Sequence, residues 1–267
     1  MQDFDFQDYN LRFGGIARLY GVEGLNKLLS AHVLVVGIGG VGTWAAEALA
    51  RSGVGSITLV DLDDICITNT NRQIHAMNGL IGKMKVHAIS SRIMAINPQC
   101  KVTAIEDYFT AATSEKILET HYTFVIDAID SLQNKCVLAA ACKDKSLPLI
   151  VTGGAAGKRN PTMIKIDDLG LACNDSLLFS LRKRLRQEFS FPSAAGFTRS
   201  KKQRFNIACV YSTEEPMYPK SDGSVCNKPE ASENLKLDCE TGMGSVTHLT
   251  GTFGFMAASF VIEQIVL

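Results

Sequence analysis

Along the first 152 residues, short runs rich in aliphatic and β-branched residues alternate with longer amphipathic stretches. HVLVV (32–36), SITLVD (56–61), KVTAI (101–105), TFVIDA (123–128) and LPLIVT (147–152) read as strands, several apolar enough to be buried on both faces. Between them, 43–51, about 83–96 and the stretch ending near 145 carry helical spacing. The second of these stops before Asn97-Pro98, because proline pushes its predecessor out of the helical region. Strands separated by helices predict an α/β fold, a doubly wound, mainly parallel Rossmann-like sheet.

After residue 157 the rhythm changes. A strand is expected at 162–166, a helix at 177–189, a polar basic stretch at 190–204, a strand at 205–211, a loop at 216–238 and an apolar helix at 245–267. The division is therefore a core over 1–157 and a C-terminal mixed extension over 158–267, in one compact unit. The last 23 residues approach the length of a membrane span. They also hold Thr247, His248, Thr250, Thr252, Glu263 and Gln264, which are expensive in lipid. A core or subunit-interface helix is the expectation, and membrane association the minority alternative.

Composition narrows the class. Hydrophobic residues make up 46% and charged residues 20%, which excludes a disordered or low-complexity chain. Lys+Arg and Asp+Glu both number 27, so a wholly basic nucleic-acid coat is excluded. The balance hides segregation. Arg182, Lys183, Arg184, Arg186, Arg199, Lys201, Lys202 and Arg204 lie in one window with Glu188 as its only acid, leaving 19 basic and 26 acidic residues elsewhere. On charge alone the window is a solvated helix face and linker or a polyanion contact. The eight cysteines are scattered, with no CxxC, and the five histidines are not at ligand spacing, so no structural zinc is expected. The acidic start, MQDFDFQDYN, does not read as a signal peptide, and a reducing cytoplasm is the simplest location.

The sharpest local signal is GIGGVG, 37–42, between a strand and a helix. Gly37, Gly39, Gly40 and Gly42 let backbone approach a phosphate, and the helix start supplies a positive dipole. Asp61 ends the next strand, where a carboxylate can accept from ribose hydroxyls. The loop by itself does not say which nucleotide. Three further features fit a dehydrogenase poorly: Asn69, Arg72 and Gln73 after the second strand, Lys85 at the head of the next helix, and Asp127 and Asp130 at the end of the fourth strand. Asp63 falls in the same strip. Arginine and lysine can clamp a triphosphate, and a carboxylate at a strand's end can hold magnesium. Together they describe ATP and a metal such as magnesium rather than NAD.

This set resembles the ubiquitin-activating-enzyme superfamily, which includes the bacterial adenylating enzymes for sulfur-carrier proteins. The resemblance implies a phosphate loop at Gly37–Gly42, a ribose carboxylate at Asp61, a nucleotide strip at Asn69, Arg72 and Gln73, a phosphate lysine at Lys85 and a magnesium aspartate at Asp130 that binds Mg2+, with Arg72, Lys85 and Asp130 as the catalytic set. Within that superfamily the chain is most similar to the tRNA threonylcarbamoyladenosine dehydratases, nearly end to end. RFGGIARLYG (12–21), TNTNRQIHA (68–76), VIDAIDS (125–131), VTGGAAG (151–157), VYSTE (210–214), YPKSDGSVC (218–226), DCETGMGS (238–245) and GTFGF (251–255) carry it. The resemblance implies ATP-driven adenylation of the threonylcarbamoyl carboxylate beside the tRNA anticodon, then ring closure. It also implies a homodimer, with Arg12 or Arg18 reaching the neighbouring subunit's ATP, and it favours tRNA contact for the basic window. Cys239 is the one cysteine considered as a nucleophile or sulfur relay, which would bring a cysteine desulfurase or sulfur acceptor as partner; the plainer alternative is a packed thiol. The competing functions are an activator of a small sulfur-carrier or ubiquitin-like protein, a NAD-dependent oxidoreductase, and an RNA-binding module with structural ATP.

Overall fold

The structure is a computed structural model that describes residues 5–192, 204–227 and 243–267. The chain opens with α1, Phe6–Ser30, capped by the Asp5 carboxylate, which accepts from the Asp8 amide at 2.9 Å. Gly21, at φ 78° and ψ 164°, breaks α1 into two segments. The hydrophobic pattern does not mark this helix, because it buries Tyr9, Phe13 and Leu25 while leaving Leu11, Leu19 and Val22 in solvent.

The expected alternation follows: β1 (His32–Val36), α2 (Gly42–Arg51), β2 (Ser56–Val60), α3 (Lys85–Ile96), β3 (Lys101–Ile105), α4 (Ser114–Ile117), β4 (Phe124–Asp127), α5 (Leu132–Asp144) and β5 (Leu149–Thr152). A 3-10 turn at Ile67–Asn69 interrupts the polar stretch between β2 and α3. The extension adds β6 (Ile164–Asp168), α6 (Ser176–Glu188), β7 (Ala208–Ser212), the short hairpin β8 (Tyr218–Pro219) and β9 (Val225–Cys226), and α7 (Thr247–Val266). β6 starts two residues later than the pattern predicts, because Asn160 and Pro161 open a 3-10 turn first. The hairpin lies in the stretch expected to be loop.

The main sheet runs β3-β2-β1-β4-β5-β7-β6. All neighbours are parallel except β6, which pairs antiparallel with β7 at the edge. Strands β6 and β7 of the extension therefore continue the core sheet. Helices α2, α3 and α7 cover one face, through Leu49, Ile89, Phe253 and Val261; α5 and α6 cover the other, through Leu138, Leu178 and Leu185. The apolar α7 is long enough to cross a membrane, but half of its most apolar window is buried inside the protein. Leu249, Phe253, Ala257, Ala258 and Val261 are solvent-free in that packing, so its hydrophobicity is accounted for by core burial.

Candidate active site

Val36 pairs with Val60 on one side and Asp127 on the other. The chain therefore leaves β1, β2 and β4 at one level, and the glycine loop, the Asp61–Asp63 segment and the 127–130 segment emerge side by side. The order of strands reverses between β1 and β4, where open α/β sheets bind ligands.

The four loop glycines have separate reasons. Gly37 sits at φ 89°, and a Cβ there would meet the Ala128 carbonyl oxygen at 2.7 Å. A Cβ on Gly42 would lie 1.8 Å from the Gly37 oxygen. These two shape the turn. Gly39 and Gly40 instead face the strip: a Cβ would lie 3.9 Å from Gln73 Nε2 and 3.3 Å from Arg72 Cγ respectively. The Asn69–Gln73 strip thus lies across the phosphate loop.

Asp61 braces that loop. Its Oδ2 accepts from the Ile38 amide at 2.6 Å and its Oδ1 from the Asp63 amide at 2.9 Å. Burial raises its carboxyl above the usual range, opposed by nearby Lys85 and the two amides. Each oxygen keeps a lone pair for a ribose hydroxyl. Lys85, almost wholly buried, donates to Asp63 Oδ2 at 2.6 Å, while the Tyr108 hydroxyl donates to Asp63 Oδ1 at 2.7 Å. Burial would raise Asp63, but Lys85 and Tyr108 outweigh it and hold its carboxyl below the usual range. The same bond pushes the Tyr108 hydroxyl up to about 12. Lys85 is thus tethered beside the loop by a carboxylate, and Tyr108 is a member of the cluster that the sequence reading missed.

Among the described residues Arg72 uses only one guanidinium nitrogen, Nη1, which donates to the Thr68 carbonyl at 2.8 Å and to Asn71 Oδ1 at 2.9 Å. It has no carboxylate partner among the described residues, so most of its five donors are free for an anion. Asn69 is turned inward: its Oδ1 accepts from the Cys66 amide at 3.1 Å and closes the 3-10 turn. Asp130 is exposed and makes no hydrogen bond or ion pair to a described residue. It is an uncommitted carboxylate just past the end of β4.

Asp127 corrects the sequence reading. It is fully buried, and its Oδ1 accepts from Lys135 Nζ at 2.8 Å and from the Ile129 amide at 3.0 Å. It lies beneath the site as half of a buried ion pair and does not face a cofactor. His75 was not singled out by sequence and has no solvent access. Neither ring nitrogen finds a hydrogen-bond partner. Burial first, then the Lys85 charge, lowers its pKa to about 4. The unfolded chain binds this proton near pH 6.5 and the folded one only near 4, so stability falls as pH drops through that window. His75→Leu is expected to flatten that part of a denaturation-against-pH profile; an unchanged slope would show that His75 does not titrate this way.

The basic window divides. Arg182 is half-buried and donates to the Leu169 carbonyl at 3.1 Å, which braces the chain after β6. Arg184 is paired with Glu188 at 2.9 Å, and Arg186 donates to the Pro192 carbonyl and covers the Phe205 ring. Lys183 and Arg204 are exposed and have no such partner among the described residues. Arg199, Lys201, Lys202 and Cys239 lie outside the described residues. α6 is bolted to the site's rim by Asp175, whose Oδ1 caps the helix at Leu178 and whose Oδ2 accepts from Gly154 after β5, both at 2.9 Å. Among the described residues no group of three or more His, Cys, Asp or Glu could hold a metal.

A match to the ThiF family spans residues 14–266, nearly the whole chain. The chain belongs to the ThiF family. This ThiF-family chain is 46% identical over 254 residues to the tRNA threonylcarbamoyladenosine dehydratase of Escherichia coli strain K12, covering 95% of this chain and 92% of that protein. It is 42% identical to the Haemophilus influenzae protein of the same name, covering 97% and 94%. Among solved structures, the E. coli tRNA N6-threonylcarbamoyladenosine dehydratase TcdA in complex with ATP matches with a TM-score of 0.85 and 41% identity, over 97% of this chain and 95% of that one.

Proposed function

We propose that this ThiF-family protein is an ATP-dependent dehydratase that cyclises N6-threonylcarbamoyladenosine next to the tRNA anticodon. The observation that carries the reading is that Arg72, with most of its donors free, the uncommitted Asp130 and the tethered Lys85 all lie on segments grouped around one glycine loop. The likeness to the E. coli enzyme over nearly its full length supports the substrate. The residues fit ATP: Gly39 and Gly40 leave a cradle under Arg72 and Gln73, and Gln73 Oε1 is buried without a partner. They also fit magnesium, which takes one or two carboxylates and completes its shell with phosphates and water. Asp130 is that carboxylate, and the ion would neutralise charge on the leaving pyrophosphate.

The substrate carboxylate oxygen attacks the α-phosphorus and pyrophosphate leaves, giving the acyl adenylate. A nucleophile within the threonylcarbamoyl group then attacks the activated carbonyl, the ring closes and AMP leaves. Arg72 and Lys85 hold the phosphate charge that grows in the first step. Asp61 orients the ribose, and the loop amides and the α2 dipole orient the phosphates. Mass spectrometry of nucleosides from tRNA incubated with protein and ATP tests the reading. Loss of one water is expected; an unchanged nucleoside overturns it.

The tRNA contact is proposed for Lys183, Arg199, Lys201, Lys202 and Arg204. Replacing Lys201, Lys202 and Arg204 by alanine is expected to weaken tRNA binding across sequences and to lower the salt slope by roughly 0.7–0.9 for each phosphate no longer neutralised. Filter binding at several salt concentrations reads this, and an unchanged slope makes the segment a plain linker.

A homodimer is also proposed. The exposed Leu11, Leu19 and Val22 of α1 supply apolar surface for a partner. On the same helix Arg12 is tied to Asp8 at 2.6 Å, whereas Arg18 is exposed with no partner among the described residues, which favours Arg18 for reaching across. Light scattering at micromolar protein is expected to give about twice 29.0 kDa; a value that stays at the monomer mass counts against it.

A further inference from the structure

Arg72 is held by its backbone as well as by its guanidinium. Its carbonyl accepts from the indole Nε1 of Trp44 at 3.1 Å. Trp44 is the only tryptophan in the chain and sits in the first turn of α2, directly after the glycine loop. We propose that Trp44 is a positioning residue for Arg72: its indole N–H fixes the Arg72 carbonyl and so sets where the guanidinium lies over the phosphate loop. The proposal rests on the reading of Arg72 as a phosphate-binding group.

The indole is itself immobilised by α7. Gly254 has no room for a side chain: a Cβ would lie 2.8 Å from Trp44 Cβ and 2.5 Å from the Val41 oxygen. At Gly251 a Cβ would touch the indole ring at 3.7 Å. The Phe255 ring meets the indole edge-on, with centroids 5.8 Å apart. A donor on a ring packed this closely points in one direction. Thr250, also on α7, places its hydroxyl 3.4 Å from the same carbonyl. Its methyl and the Arg72 stem both converge on Gly40, each within 3.4 Å of where a Cβ would stand. The neighbouring Asn71 donates to the carbonyl of Ser245, just before α7, at 2.9 Å while its Oδ1 holds Arg72 Nη1. Loop, strip and α7 are thus joined around one arginine.

The consequence is geometric. An arginine head on a flexible stem is useful only if its root is fixed. Displacement by about 1 Å can cost up to a hundredfold in rate. The strip has no strand or long helix of its own to fix that root. A bond from the helix that the phosphate loop feeds fixes it relative to the phosphates.

Two replacements of Trp44 test this. Trp44→Phe keeps an aromatic ring against α7 and removes the N–H. Because the chain has one tryptophan, biosynthetic replacement by the benzothienyl isostere removes the same N–H with almost no change of shape. Each is expected to lower kcat for tRNA dehydration about tenfold, with KM for ATP changed by less than about twofold. In an Arg72→Ala background the same replacements should cost nothing further, since a residue acting through another is silent once that other is gone. A full rate with either replacement overturns the proposal. So does an equal loss with and without Arg72, which would make Trp44 a packing residue. Full activity of Arg72→Ala alone would instead overturn the reading of Arg72.

Discussion

Replacing Asp130 by alanine is expected to lower the rate of tRNA dehydration by about a hundredfold or more at saturating ATP. The reason is that Asp130 is exposed just past the end of β4 with no described partner of its own. Nothing in the fold needs it, so the loss should appear in turnover and in magnesium dependence rather than in stability. Binding of tRNA should persist, because the basic residues proposed to meet its phosphates lie in the extension. Asp130→Asn should behave similarly, since it keeps the shape but not the charge that holds a divalent cation. Single-turnover kinetics across a magnesium titration read the effect. A full rate in Asp130→Ala would remove the metal assignment, and a lower melting temperature with unchanged kinetics would make Asp130 structural.

The largest effect on stability is expected at Lys135. Its ammonium is solvent-free and pairs with the equally buried Asp127 at 2.8 Å. Lys135→Ala leaves a carboxylate in the interior with no counter-charge, and breaking such a pair costs about 3–5 kcal/mol. That is a large share of the roughly 5–15 kcal/mol that holds a typical domain. The denaturant midpoint should fall with little change in slope. Removing both charges, as Asp127→Asn with Lys135→Met, should cost less, because no lone charge stays buried. A chain as stable as the parent that had lost ATP affinity would return Asp127 to the cofactor-binding set, where its place at the end of β4 first put it.

These two aspartates divide what was legible in the sequence from what was not. Asp127 and Asp130 are three residues apart with the same chemistry, and both follow an apolar run. Their local chemistry marks them equally, and only the resemblance to adenylating enzymes singles out Asp130. The tertiary structure separates them, because β4 turns Asp127 toward α5, where Lys135 waits eight residues on, while Asp130 lies past the strand's end. Arg182 and Lys183 divide the same way: one faces the Leu169 carbonyl and the other faces water.

What the sequence determined by itself was local and periodic. The runs at 32–36 and 101–105 are β1 and β3 as observed, since a strand's signal lies within its own few residues, continuous and apolar in the buried β1 and alternating in the edge strand β3. The glycine loop was legible because a close backbone approach tolerates no side chain. The Asn69–Gln73 strip was legible through its resemblance to known adenylating enzymes. What only the tertiary structure decided depends on partners far away in the chain. It packed α7 against α2, set β6 antiparallel, brought Tyr108 onto Asp63, buried His75 without a partner, and hung the Arg72 carbonyl from Trp44. Each of these turns on which way a side chain faces once distant segments pack. That direction follows from the whole fold and is not contained in any short window of sequence.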